Sequence, residues 1–104
     1  MRSVFELPYR PRERLDAGVV AARERLARLG PGGSAGLPLD VESASQIEIR
    51  AESMSCLACQ GPYRIDEHTA ERIDGRHVRV VRVRCHHCGA RRVLFFRVLA
   101  ASAS

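Results

Sequence analysis

Two short cysteine pairs, Cys56-Leu57-Ala58-Cys59 and Cys85-His86-His87-Cys88, constrain this chain more than any other feature. Each is a C-x2-C, and 25 residues lie between them. A two-residue gap lets both sulfurs of a pair reach one ion from a tight turn. Two such turns complete a tetrahedron with metal–sulfur bonds of about 2.3 Å. Gly89 follows the second pair and allows the backbone to curl around the sulfur, whereas the first pair is followed by Gln60 before Gly61, so its turn is less regular. In a reducing compartment such cysteines bind metal rather than form disulfides.

Other uses of the same residues are weaker. Covalent c-type haem needs a histidine directly after the pair, and the residues there are Gln60 and Gly89. Thioredoxin-like chemistry wants the pair at a strand–helix junction, but Cys88 leads into arginine-rich, strand-forming sequence. A rubredoxin-like iron site uses the same four thiolates and is the main rival to Zn2+, because spacing does not separate the two ions. His86 and His87 read as bystanders, since four sulfurs already satisfy the ion. Such a site has no open position for water, which argues against a zinc hydrolase and, with no other catalytic constellation, against an enzyme.

The two pairs resemble the zinc-ribbon class, in which knuckles at the ends of β-hairpins clamp one zinc. The resemblance covers roughly residues 55–100 and implies a fold class, with metal ligands Cys56, Cys59, Cys85 and Cys88, rather than one activity. It also implies that the ion holds the unit together. Structural zinc contributes an apparent ~10–16 kcal/mol in finger peptides, so its removal is expected to unfold residues 55–100.

A staple is needed because 104 residues make one small domain with something appended, and only 5% of them are aromatic. All 17 basic residues are arginine, which a GC-rich genome produces without selection. Placement is more informative. Formal charge is +3 over residues 1–29, −3 over 30–55 and +5 over 56–104. No acid follows Asp74, whereas Arg76, Arg79, Arg82, Arg84, Arg91, Arg92 and Arg97 do. This stretch is a candidate anion-facing surface, somewhat offset by the net −2 of a four-thiolate zinc.

The remaining elements follow from periodicity and turn chemistry. Pro8 and Pro11 favour an extended lead-in, after which Leu15, Val19, Ala22, Leu26 and Leu29 form an a/d seam on an amphipathic helix from about Arg12 to Leu29. The seam is expected to dock on the same chain, on a partner helix or on a second copy. Residues 30–45, opening with Gly-Pro-Gly-Gly, read as a flexible linker. Gln46 to Ala51 alternates, with Ile47, Ile49 and Ala51 on one side, and reads as a half-buried strand. Tyr63–His68 and His77–Arg84 read as strands, the latter with an apolar phase switch at Val80-Val81 that a bulge or two-sided burial would explain. Asp74-Gly75 is a hairpin turn signal. Arg91–Ala100 reads as the central strand, with Phe95 and Phe96 in the core, and residues 101–104 as a frayed tail. His68 and His77 read as surface residues.

The expected whole is a small α+β protein: residues 1–29 an arm and amphipathic helix, 30–45 a linker, 46–100 a four-cysteine, zinc-ribbon-like antiparallel β domain. No signal peptide is legible, and the longest apolar stretches, 17–22 and 93–96, fall far short of the roughly 20 residues that span a bilayer. A cytoplasmic protein without membrane attachment is therefore expected. Two non-enzymatic functions stand close together: nucleic-acid or other anion binding through Arg76, Arg79, Arg82, Arg84, Arg91 and Arg92, and protein adaptor work through the helix seam.

Overall fold

The computed structural model describes residues 16–99. Helix α1 spans Ala17–Leu29, strand β1 Leu39–Val41, helix α2 Ser45–Glu52, and strands β2 Tyr63–Ile73, β3 Arg76–Cys85 and β4 Arg91–Val98. The four strands form one sheet in the order β1-β4-β3-β2. Strands β2, β3 and β4 are antiparallel, as the sequence leads one to expect, but β1 joins β4 in parallel, so the sheet is mixed. The protein is thus a small α+β fold built on a hairpin-rich sheet.

Asp74 and Gly75 make the β2–β3 turn with φ of 52° and 79°, the left-handed pair that a two-residue hairpin requires. In β3 the phase switch reflects burial on both faces: Val78 and Val80 are buried on one, Val81 and Val83 on the other. The bulge lies across the ladder instead, in β2 between Ile65 and Glu67. Interior strand β4 buries Leu94 and Phe96 fully, and these join Ile47, Val81 and Val83 in the core. Burying one such side chain is worth about 1.5–3 kcal/mol. Phe95, expected in the core beside Phe96, points to the opposite face and is only half-buried.

Residues 46–51 form helix, not strand. Ile47 and Ala51, four apart, are both completely buried against the sheet, while Ile49 is 69% exposed. Alternation over five residues satisfies both periods, and the helix won because Gln, Glu, Arg and Ala favour it and its i, i+4 pair alone needs covering.

The segment read as a flexible linker is tied into the fold. Gly32 N–H donates to Leu37 O at 2.7 Å, Phe95 N–H donates to Gly32 O at 2.9 Å, and β1 follows. At Gly33 a side chain would clash with the Ala27 carbonyl, so the chain folds back against the end of α1 only because the residue is glycine.

Helix α1 begins at Ala17, later than the sequence reading, because Asp16 has extended backbone and accepts from Val19 N–H at 3.0 Å, an N-cap. Its inward face is not the expected seam. Val20, Arg23, Glu24 and Ala27 are half-buried, and Val20 packs on the core. Of the seam, Val19, Leu26 and Leu29 are exposed, Ala22 is half-buried, and Leu15 lies outside the described residues, as does the tail 101–104.

Candidate metal centre and arginine face

The first knuckle sits between α2 and β2, and the second joins β3 to β4, so the hairpin ladder brings the two together by pairing Tyr63 with Cys85. The four Sγ atoms all lie within 4.8 Å of one another. Cys56 and Cys88 are 3.6 Å apart, and Cys59 and Cys85 3.4 Å. A tetrahedron with 2.3 Å metal–sulfur bonds has edges of about 3.8 Å, and separations that start at 3.4 Å and stay within 4.8 Å bracket that value, so the cluster is of a size to hold one ion. The sequence-derived ligand set Cys56, Cys59, Cys85 and Cys88 is therefore gathered at one point.

Both knuckles use the same turn. Gln60 N–H donates to Cys56 O at 2.8 Å, and Gly89 N–H to Cys85 O at 3.1 Å. Each is closed from outside, by Cys56 N–H on Gly61 O and by Cys85 N–H on Ala90 O. Backbone donors also face the sulfurs: Ala58 N–H to Cys56 Sγ at 3.3 Å, and His87 and Cys88 N–H to Cys85 Sγ at 3.4 Å each. Such donors stabilise thiolate over thiol.

Burial pushes the Cys59 thiol up to about 12, helped by its hydrogen bonds to Cys85 and Cys88. Cys88 is likewise raised, mainly by burial. At Cys85 burial also acts upward, but the Cys88 and His87 N–H donors and the neighbouring thiols outweigh it and bring the group down to about 7. Burial raises the Tyr63 phenol, whose oxygen accepts from Leu57 N–H at 3.3 Å and from Arg92, fastening the first knuckle to β4.

The arginines that looked unopposed in the sequence are largely matched in space. Arg97 makes a two-point pair with Asp40 on β1, at 2.8 and 3.0 Å. Arg82 pairs with Glu67 at 3.5 Å and Arg84 with Asp66 at 3.1 Å. Arg79 donates to His68 Nε2 at 3.3 Å, and His68 Nδ1 meets Glu48 Oε2 at 3.1 Å. Because arginine only donates, Nε2 accepts and Nδ1 carries the proton given to Glu48. His68, with 16% of its side chain exposed, is thereby a link between α2 and the sheet rather than a surface residue. Arg76 reaches the Gly36 carbonyl at 3.5 Å, and Arg92 is held by Tyr63.

What remains is a cluster the sequence reading missed in part. Arg64 on β2 is the cross-strand partner of Arg84, and Arg84 of Arg91. The three side chains therefore stand in one row on one face, beside the second knuckle. All are exposed, one acid reaches the row through Arg84, Arg64 touches only His86 Nδ1 at 3.4 Å, and Arg91 has no polar partner among the described residues. Arg64 escapes the sequence reading because it precedes Asp74 and so lies outside the acid-free stretch.

Arg91 also lines a cleft of about 370 Å³ between α1, the first knuckle and β4. Glu24, Ala27 and Arg28 line it from α1, Leu57 and Ala58 from the first knuckle, and Arg92, Val93 and Phe95 from β4. Among the described residues, no helix is long and apolar enough to cross a membrane. No family model matches this chain, and neither a curated protein nor a solved structure matches it.

Proposed function

We propose that this protein is a non-enzymatic binding module, stapled by zinc, that holds nucleic-acid phosphates across Arg64, Arg84 and Arg91. The observation that carries this reading is the cross-strand row itself. Like charges directly opposite one another on neighbouring strands are destabilising. Three guanidiniums in line with a single acid between them are a cost in the free protein that a bound phosphate chain turns into attraction. The row also stands on rigid strands next to the metal knuckle, which preorganises it.

Zinc is the ion proposed because a closed four-cysteine set is the usual structural zinc site, with iron as the rival that uses the same ligands. Metal analysis of the purified protein distinguishes them, since a four-thiolate iron site is coloured. The binding test is a salt series with fluorescent oligonucleotides. Affinity is expected to fall steeply between about 50 and about 200 mM salt, and Arg64→Ala and Arg91→Ala each to lower the salt slope by about one. Salt-insensitive binding, or variants that bind like the parent, would sink the proposal.

A second reading, a protein adaptor, rests on Leu26 and Leu29, which leave 69% and 72% of their surface uncovered on α1. It predicts partner capture that Leu26→Asp abolishes with the metal still bound.

A further inference from the structure

We infer that the cleft beside Arg91 receives an unstacked nucleobase, so that the module selects single-stranded over duplex nucleic acid. The inference rests on the phosphate row proposed above and adds what lies at its end. Arg91 is shared: it is the last member of the row Arg64–Arg84–Arg91 and also lines the cleft. A strand whose phosphates follow the row is therefore delivered to the cleft mouth, with its next base facing the opening.

The lining offers a base both apolar surface and hydrogen-bonding groups. Leu57, Val93 and Phe95 offer apolar surface, and Phe95 is half-buried on the same sheet face as Arg91, available for stacking. Glu24 also lines the cleft, half-buried and without a hydrogen bond or ion pair among the described residues. A carboxylate in that position repels a phosphate or carboxylate group. A base, by contrast, supplies amino and imino donors that a carboxylate accepts. Arg28, one helical turn further along α1, lines the same wall and is likewise unpaired among the described residues. Glu24 and Arg28 thus present one acceptor and one donor to the edge of a planar, neutral, hydrogen-bonding ring. The volume, about 370 Å³, lies within the usual range for a small-ligand site.

A duplex cannot use this arrangement. Its bases are stacked and paired inside the helix, and extruding one costs energy that a single strand does not spend. Duplex is left with the phosphate row alone.

The test compares one labelled single strand with its duplex at fixed salt, for the whole chain in its metal-bound form. The single strand is expected to bind about tenfold more tightly, the scale of one stacked base. Phe95→Leu removes the stacking face without removing an arginine and is expected to bring the single strand down to the duplex value while duplex affinity stays unchanged. Ala27→Met fills the cleft from the helix wall with a non-aromatic side chain and serves if the first variant loses its metal. Equal parental affinity for strand and duplex, or a preference that survives both variants, overturns base insertion and leaves the phosphate row intact. Absence of all binding, or binding indifferent to Arg64→Ala, overturns the row and this inference with it.

Discussion

Gln60 and Gly89 occupy the same position in the two knuckles, one residue past the second cysteine, with φ of 67° and 80°. Both lie in the left-handed region, and both return their N–H to the carbonyl of the first cysteine. Only one of them is a glycine. The left-handed conformation costs a residue with a Cβ roughly 1–2 kcal/mol, partly offset by the greater freedom of glycine in the unfolded chain.

Gln60→Gly is therefore expected to stabilise the metal-bound protein, by about 0.5–1 kcal/mol. Gly89→Ala should destabilise it by about 1–2 kcal/mol. An added Cβ at Gly89 meets nothing within 4 Å, so backbone strain is the sole cause. Urea midpoints at fixed metal concentration measure both, and equal midpoints for Gln60→Gly and the parent would show that the first turn does not hold this conformation in solution.

Helix α2 makes its own prediction, because the alternative strand would bury Ile47 and Ile49 alike. With Ile47 completely buried and Ile49 69% exposed, Ile47→Ala should cost about 2–5 kcal/mol and Ile49→Ala less than about 0.5 kcal/mol. Comparable losses at both positions in chemical denaturation would argue for a strand.

These contrasts mark what the sequence could say. The four-cysteine cluster was legible because each pair is local, and the Asp74-Gly75 turn because its left-handed geometry names its residues. Residues 46–51 were ambiguous because Ile47 and Ala51 satisfy period two and period 3.6 together, and only the covering sheet decides between them. The charge pattern misled for a different reason. Asp40, Asp66 and Glu67 precede Asp74 in the chain, yet the strand order sets them beside Arg97, Arg84 and Arg82. Arg64 joins the row through a register that passes a bulge, which no linear spacing reveals. Had the knuckles been assumed to pair Tyr63 with Cys85, Arg64 would have fallen opposite Arg84.

The helix seam is separable from the fold by substitution. Leu26 is exposed, so Leu26→Asp should leave stability within about 0.5 kcal/mol of the parent. Val20 packs on the core from a different face of α1, and Val20→Asp should release the helix, by placing a charge against apolar surface. Amide exchange read along α1 distinguishes the two: protection is retained in the first variant and lost in the second. Loss of protection in Leu26→Asp would mean that α1 docks through its leucines.

Metal affinity should depend on pH with a sign set by the thiols. A bound ion displaces the protons of its ligands, so a group that holds its proton more tightly penalises binding more, and affinity falls as pH falls. Cys59, up at about 12, and Cys88, raised by burial, surrender their protons on binding throughout the neutral range. Cys85, brought down to about 7, is already a thiolate above that pH and adds no proton release there. Below about 7 it is protonated in the metal-free protein and adds one proton to each binding event. Chelator competition across about pH 5.5–8.5 is therefore expected to show affinity declining toward acid, with the slope steepening by about one proton as pH drops through 7. Loss of the metal at the acid end should be accompanied by weakening of the β2–β4 circular-dichroism signal, because the contacts that remain between the knuckles, such as His86 N–H on Pro62 O at 2.9 Å, are few. An affinity that does not change with pH would exclude thiolate ligation by these cysteines.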